Sequence, residues 1–467
     1  MRVIICGAGQ VGINIARYLS QFDTDITIID LNPELVAQAQ ETLDVQGIVG
    51  HASNPDILRQ AGGEEAEMIV AVTQVDEINM VACQVAHSLF GIEMKVARIR
   101  QSSFMKSEWA ELFANDHLPI NHIIAPELEV AKAIMRRLRL PGVSDVIPIS
   151  EDEVFAASIR TLPDTPILGV PLNHLTELFP GLNMTLVTVV RDGKALLPDR
   201  MTMLKPYDEV YLVAPKSSQD QILDVFGHSE QEGRRVLIVG AGNIGYSLAK
   251  MMEAESPHVR VKMIEMDGER ARYVAERLPR AQVLKGDSLE NELLMDAGVQ
   301  NMETIVAVTD EDEVNILVSL LAKRMGTGRA ITLVNRPTFG PLVGQLGIDT
   351  PLSPRMITVS SILEHVRQGQ IRSVFGIADG FGELFEIIAP ARSQVVGKAL
   401  RDVKLPNGIL VAGIIREVKD EAGKVSFEFE APRGSTIIKE GERVIFFVVA
   451  NMVRKAQKLF SVDSRLV

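Results

Sequence analysis

The stretch GAGQVG at residues 7–12 returns as GAGNIG at residues 240–245, 233 positions further along the chain. A glycine pattern of this kind, placed between an apolar β-rich run and an amphipathic one, marks a strand that turns sharply into a helix. Both copies have that setting. RVIIC (2–6) leads into Gly7, Ala8, Gly9, Gln10, Val11 and Gly12, then the helical stretch VGINIARYLS, and the next apolar run, DITIID, ends at Asp30. In the second copy RVLIV (235–239) leads into Gly240, Ala241, Gly242, Asn243 and Ile244, and Glu265 stands at the end of the following strand.

The repeat extends well past the glycines. GHASN at 50–54 corresponds to GDSLE at 286–290, and residues 68–80 match residues 304–316 at eight of thirteen positions, which is duplication rather than coincidence. Each half then presents a polar strand, VARIRQSSF (96–104) or ITLVNRPTF (331–339), and a proline-started helix, APELEVAKAIMRRLRL (125–140) or SPRMITVSSILEHVRQG (353–369). Short alternating strands with one helix between them follow. The predicted class is α/β, with two tandem Rossmann-like parallel-sheet domains, each followed by a small α+β domain. The expected boundaries are 1–124 for the first nucleotide-binding lobe, 125–142 for its crossover helix and 143–227 for the first small lobe. The second set is 233–352, 353–369 and 370–456, and the polar stretch 217–235 is the expected linker between the halves.

In this setting Gly7 permits the turn, Gly9 lets a pyrophosphate approach the backbone, and Gly12 lets the helix lie close to the sheet. Free amides at the helix start receive phosphate. Asp30 and Glu265 would accept from a ribose hydroxyl, which favours NAD over a cofactor carrying a 2′-phosphate. Thr73-x-x-Asp76 and Thr309-x-x-Asp312 read either as capping boxes or, with Gln74 and Asp310, as ligand contacts at the ends of parallel strands. Arg98 and Arg100 alternate with apolar Ala97 and Ile99 and so share one side of a strand, either an exposed edge or a crevice that holds phosphate. The matching residues in the second half are Leu333 and Asn335, so the two sites are not expected to be equivalent. An apolar stripe of Leu128, Ala131, Met135 and Leu138 serves either a dimer contact or packing within the chain.

Other chemistry finds little support. The acidic run DEDE at 310–313 reads as a solvated helix start, and the eight histidines show no metal-ligand spacing, so no metal is expected. His51, matched by Asp287, is the one acid–base candidate near a crevice. The small lobes hold no defensible catalytic constellation, so the chain is expected not to be an enzyme. The alternative is an NAD-dependent oxidoreductase whose small lobes hold substrate.

A formal charge of −13 argues against nucleic acid as a partner. The opening MRVIICGAG begins as a strand rather than a leader, Cys6 and Cys83 lie in apolar runs, and the longest apolar run, VIFFVVA (444–450), falls short of the roughly 20 residues that span a bilayer. A cytoplasmic setting is expected. With the paired glycine turns, the VAVTQVDEIN and VAVTDEDEVN blocks, the crossover helices and the small lobes, the whole chain resembles the TrkA family, whose members carry two RCK modules in tandem as peripheral subunits of bacterial Trk potassium uptake. The resemblance implies a nucleotide-binding regulator that performs no reaction, with NAD or NADH as ligand and ATP or ADP as alternatives. It also implies a homo-oligomeric ring of RCK modules, a dimer or tetramer of chains, held on the inner face of the cell membrane by a potassium-translocating subunit. Carried over by motif, the family's contacts fall on Gly7 through Val11, Asp30, Thr73, Gln74 and Arg98, and on Gly240 through Ile244 and Glu265.

Overall fold

The structure is a computed structural model that describes residues 1–20, 24–113, 117–140, 142–150, 153–163, 165–179, 181–228, 234–339, 342–343, 346–363, 371–377, 381–391, 393–419, 425–453 and 456. Strands β1 (Arg2–Cys6), β2 (Asp25–Asp30), β3 (Gln46–Val49), β4 (Met68–Ala71), β5 (Met94–Arg98) and β6 (His122–Ile124) form one sheet in the order β3-β2-β1-β4-β5-β6. All pairs are parallel. Runs such as VIIC and MIVA are buried throughout, as strands covered on both faces must be. The order reverses between β1 and β4, and a crevice opens at the carboxyl ends of the strands beside such a switch point.

The first small lobe is an antiparallel sheet of β7 (Val143–Ile149), β8 (Val154–Arg160), β9 (Thr185–Arg191), β10 (Lys194–Leu196) and β11 (Glu209–Pro215), ordered β10-β9-β11-β8-β7. Then β12 (Arg235–Val239), β13 (Arg260–Glu265), β14 (Gln282–Lys285), β15 (Thr304–Ala307), β16 (Arg329–Leu333) and β17 (Thr350–Leu352) repeat the parallel order as β14-β13-β12-β15-β16-β17. The last sheet, β18 (Ile371–Ile377), β19 (Gly382–Ile388), β20 (Ile409–Lys419), β21 (Val425–Glu430) and β22 (Arg443–Val449), is ordered β18-β19-β22-β20-β21. Read strand for strand, that is the topology of the first small lobe. The duplication therefore covers both layers of the chain.

These four sheets fall into two compact units. One holds residues 1–132 and 237–365, so both parallel sheets lie in it, and the other holds residues 133–236 and 366–467, with both small lobes. Within the second unit the small lobes share a core in which Val154, Val187 and Val213 meet Phe375, Leu384, Phe429 and Phe447. A charged pair is buried there too. Arg443 Nε donates to Glu386 Oε1 at 2.7 Å, and Ser150 Oγ of the other lobe donates to the same oxygen at 3.1 Å.

Two expectations change, and one open alternative is decided. The stretch 217–235 is not a plain linker: Gln219–Val225 is a helix whose Ile222, Leu223 and Val225 enter the first small-lobe core beside Phe226, and residues 229–233 lie outside the described ones. The polar strands stop at Arg98 and Leu333, and Ser102–Met105 and Pro337–Phe339 are short 3-10 turns. Finally, Ala131, Met135 and Leu138 are buried within the chain and Leu128 is half-buried, so this stripe packs at home and offers no free dimer face. The second crossover helix spans Pro354–Leu363, and the remainder of the expected 353–369 segment, residues 364–369, falls outside the described ones.

Candidate functional site

Each glycine turn is built by backbone contacts that leave no room for a side chain at two of its three glycines. Gly7 has φ +113°, and a Cβ on Gly12 would lie 1.9 Å from the Gly7 carbonyl oxygen. Gly240 and Gly245 repeat this, with φ +96° and a 2.0 Å approach. Gly9 and Gly242 differ, because a Cβ there would meet nothing within 4 Å. The space in front of them is open.

The acidic residue at the end of the second strand closes the turn. Asp30 Oδ2 accepts from the Ala8 N–H at 2.6 Å, and Oδ1 accepts from Asn32 N–H at 2.8 Å. Glu265 does the same, accepting from Ala241 N–H at 2.7 Å and Asp267 N–H at 2.9 Å. A carboxylate oxygen has more than one acceptor direction, so each group retains capacity for a hydroxyl.

The capping-box reading of Thr73 and Thr309 does not hold. Asp76 turns away from the helix start and accepts from the N–H groups of Arg100 and Gln101, each at 2.9 Å, which draws the chain off the β5 ladder. Thr73 instead engages Asn79, whose Oδ1 accepts from Thr73 N–H at 2.9 Å and Oγ1 at 2.7 Å, while its Nδ2 donates to the Thr73 and Arg98 carbonyls. Asp312 and Asn315 brace the second repeat in the same way. Asn79 is fully buried, so Asn79→Ala takes this partner from the Thr73 N–H, the Thr73 carbonyl and the Arg98 carbonyl beside the ends of β4 and β5, while Thr73 Oγ1 keeps the Val75 carbonyl. A loss of about 3 kcal/mol is expected, read as an earlier thermal transition. An unchanged transition would refute the brace.

Within the unit that holds both parallel sheets, a cavity of about 850 Å³ opens at these strand ends. Gly7, Gly9, Gln10, Val11, Asp30, Thr73, Gln74 and Arg98 of the first repeat line it, with Ile244 and Asp310 of the second. Ala8 and Gly12 lie behind the wall, and Gly240, Ala241, Gly242, Asn243, Glu265 and Thr309 are not on it. Arg100 and His51 also reach the cavity, so the two arginines share a crevice rather than an exposed edge. Arg98 Nε is buried without a hydrogen-bond partner. Burial, and then the Arg100 charge, lower the Arg98 pKa, against the opposing pull of Glu127 and Asp76. An anion there would satisfy both the charge and the free donor.

The second glycine turn has different surroundings. Leu333, which stands where the first repeat has Arg98, lines the same cavity, and Arg270 Nε donates to the Ala241 carbonyl at 2.7 Å while its guanidinium lies over Tyr246 and Tyr273. Sequence reasoning missed this clamp, and it also missed Glu127, Arg355 and Thr358 on the cavity wall. The braces Asp76 and Asn79 were visible in the matched block TxxDExN, but their partners on the next strand were not. Cys6 and Cys83 are free and buried, and burial pushes both thiols up, Cys83 to about 12, which keeps them protonated and inert. Among the described residues no group of three His, Cys, Asp or Glu side chains is placed to hold a metal, and no helix is long and apolar enough to cross a membrane.

The model of the TrkA-N domain matches residues 3–126 and again residues 236–354, together more than half of the chain, and that of the TrkA-C domain matches residues 384–461. The chain belongs to the TrkA family. It is 42% identical over 463 residues to the Trk system potassium uptake protein TrkA of Azorhizobium caulinodans, covering 99% of both chains. The Vibrio alginolyticus protein of that name is 36% identical over 96% of each chain, and TrkA homolog 1 of Methanosarcina mazei is 32% identical over 98% of this chain and 100% of that one. Among solved structures, the GsuK channel superposes with a TM-score of 0.61 at 18% identity, covering 98% of this chain and 78% of that chain. The GsuK RCK domain gives 0.58 at 17% identity, covering 98% and 94%. At such identities these two likenesses speak for the fold of this TrkA-family chain.

Proposed function

We propose that this TrkA-family chain is the nucleotide-binding regulatory subunit of a potassium uptake transporter, bound at the cytoplasmic face to a potassium-translocating membrane subunit. The observation that carries the reading is the cavity at the glycine turn, in a chain whose near-full-length relatives are named as potassium uptake proteins. NAD or NADH fits the first crevice. Phosphates would meet the free amides of the Gln10–Leu19 helix, and a ribose hydroxyl would meet Asp30. ATP and ADP are the alternative ligands, since they share the adenosine and phosphate groups. Of the positions named from the sequence, Gly7, Gly9, Gln10, Val11, Asp30, Thr73, Gln74 and Arg98, with Ile244 and Asp310 of the second repeat, are the proposed contacts of the principal site, while Ala8 and Gly12 shape its turn and Gly240, Ala241, Gly242, Asn243, Glu265 and Thr309 belong to a second, lesser site.

A regulator works through differential affinity of the ligand for two arrangements of the modules. Two modules per chain supply a ring of RCK modules from a dimer or tetramer of chains, as a symmetric assembly requires. The decisive test combines calorimetric titration of NADH, NAD, ATP and ADP with an NADH-consumption assay, then potassium uptake in cells deleted for the gene. Saturable binding without turnover, together with restored uptake, is the expected result. Sustained NADH oxidation in the presence of a metabolite pool would replace this reading with an oxidoreductase.

A further inference from the structure

The second crossover helix, Pro354–Leu363, packs against Gln10–Leu19, the helix that the first glycine turn opens. Its residue Arg355 lines the first repeat's cavity, and Arg355 Nη1 donates to Gln10 Oε1 at 3.4 Å. Gln10 is the first residue of the helix whose free amides face an incoming phosphate. A guanidinium from one repeat thus stands at the phosphate end of the other repeat's pocket. The contact that holds it is a long one to a neutral amide, and a phosphate oxygen offers a shorter, charge-assisted bond in exchange.

The repeats differ at this position. After the proline that starts each crossover helix, the first repeat has Glu127 and the second has Arg355, so the duplication put opposite charges on equivalent residues. Both face the same cavity, whose wall carries Arg98, Arg100 and Arg355 against Asp30, Glu127 and Asp310. Asp30 already has one backbone N–H on each oxygen. The helix start adds partial positive charge beside Arg355.

We propose that Arg355 is a phosphate-recognition residue of the first repeat's pocket, contributed across the repeat boundary, so that a nucleoside di- or triphosphate at Gly7–Gly12 draws the second repeat onto the first. The inference rests on the nucleotide reading above and adds to it the regulation of that site: the number of ligand phosphates becomes a force between repeats. A ligand that ends at the α-phosphate lacks this link. Arg355→Lys keeps the charge but loses the planar fork, so it recovers only part of the effect.

The test is calorimetry of the full chain with ATP, ADP and AMP on wild type, Arg355→Ala and Arg355→Lys, with Gly9→Asp to identify the first-site signal. Arg355→Ala is expected to weaken ATP and ADP binding at least tenfold and AMP binding less than threefold, with the ligand-free melting temperature unchanged. Arg355→Lys should fall between. Equal loss for AMP and ATP, or no loss for either, overturns the role of Arg355 while first-site nucleotide binding stands. Absence of binding by wild type to all three, and to NADH, overturns the nucleotide reading itself. Should Arg355→Ala fold poorly, Arg355→Gln keeps the side-chain length, and the same ATP-to-AMP comparison decides.

Discussion

Gly9→Asp weakens nucleotide binding at the first site at least 100-fold and leaves the thermal transition within a degree or two, whereas Gly12→Ala lowers the transition sharply. The two glycines lie three residues apart, and the structure separates their roles. Gly9 has φ −67° and ψ −178°, an extended conformation open to any residue, and a Cβ there meets nothing within 4 Å. An aspartate at the start of Gln10–Leu19 even suits the helix dipole, so the empty protein tolerates it. Its carboxylate then occupies the ground a phosphate needs. Two like charges about 4 Å apart repel by about 4 kcal/mol at an effective dielectric near 20, which exceeds the 100-fold threshold. At Gly12 the added carbon falls 1.9 Å from a backbone oxygen, and no side-chain rotation relieves that. A cost of about 3 kcal/mol follows from overpacking. Calorimetric binding and melting on both variants check the pair, and Gly242→Asp with Gly245→Ala repeats them in the second repeat. Wild-type affinity in Gly9→Asp would remove the crevice as the binding site.

Much of this was legible in the sequence because it depends on local pattern. The strand, glycine turn, helix and acidic strand end are consecutive, and their duplication 233 residues later made the two parallel-sheet domains readable. Short apolar runs such as VFAASIR and ERVIFFVVA gave the small-lobe strands. What failed depended on contacts distant in sequence. Thr73 and Asp76 have capping-box spacing, but Asp76 finds better-placed donors at Arg100 and Gln101, 24 and 25 residues on. The stretch 217–235 looks like a linker by polarity, but Ile222, Leu223, Val225 and Phe226 suffice for one buried helix face. Arg355 in the first pocket was beyond reach for a sharper reason: nothing in a linear repeat says that the second helix visits the first site.

The second large effect concerns the small lobes, where Arg443→Met should destabilise far more than the double variant Glu386→Leu/Arg443→Met. Glu386 on β19 is 2% exposed and Arg443 on β22 is 8% exposed. The guanidinium donates through Nε at 2.7 Å and approaches through Nη2 at 2.6 Å, both to Glu386 Oε1, and it lies 5.1 Å over the Phe427 ring. Ser150 of the first small lobe donates to that same oxygen, so the pair sits where the two lobes meet. Removing the cation alone takes from a buried carboxylate the guanidinium that reaches it through Nε and Nη2, at a cost of about 3–5 kcal/mol. For a unit of some 200 residues that lowers the melting temperature by on the order of 10 °C. Removing both charges exchanges the pair for apolar contacts on the same face, with Ile445, which pairs with Glu386 across the ladder, and with Phe427 beside Arg443, and burial of this kind is often neutral or favourable. Scanning calorimetry of the two variants distinguishes the cases. Equal melting temperatures would mean that Glu386 finds other compensation, and that the charged pair adds nothing to the contact between the small lobes.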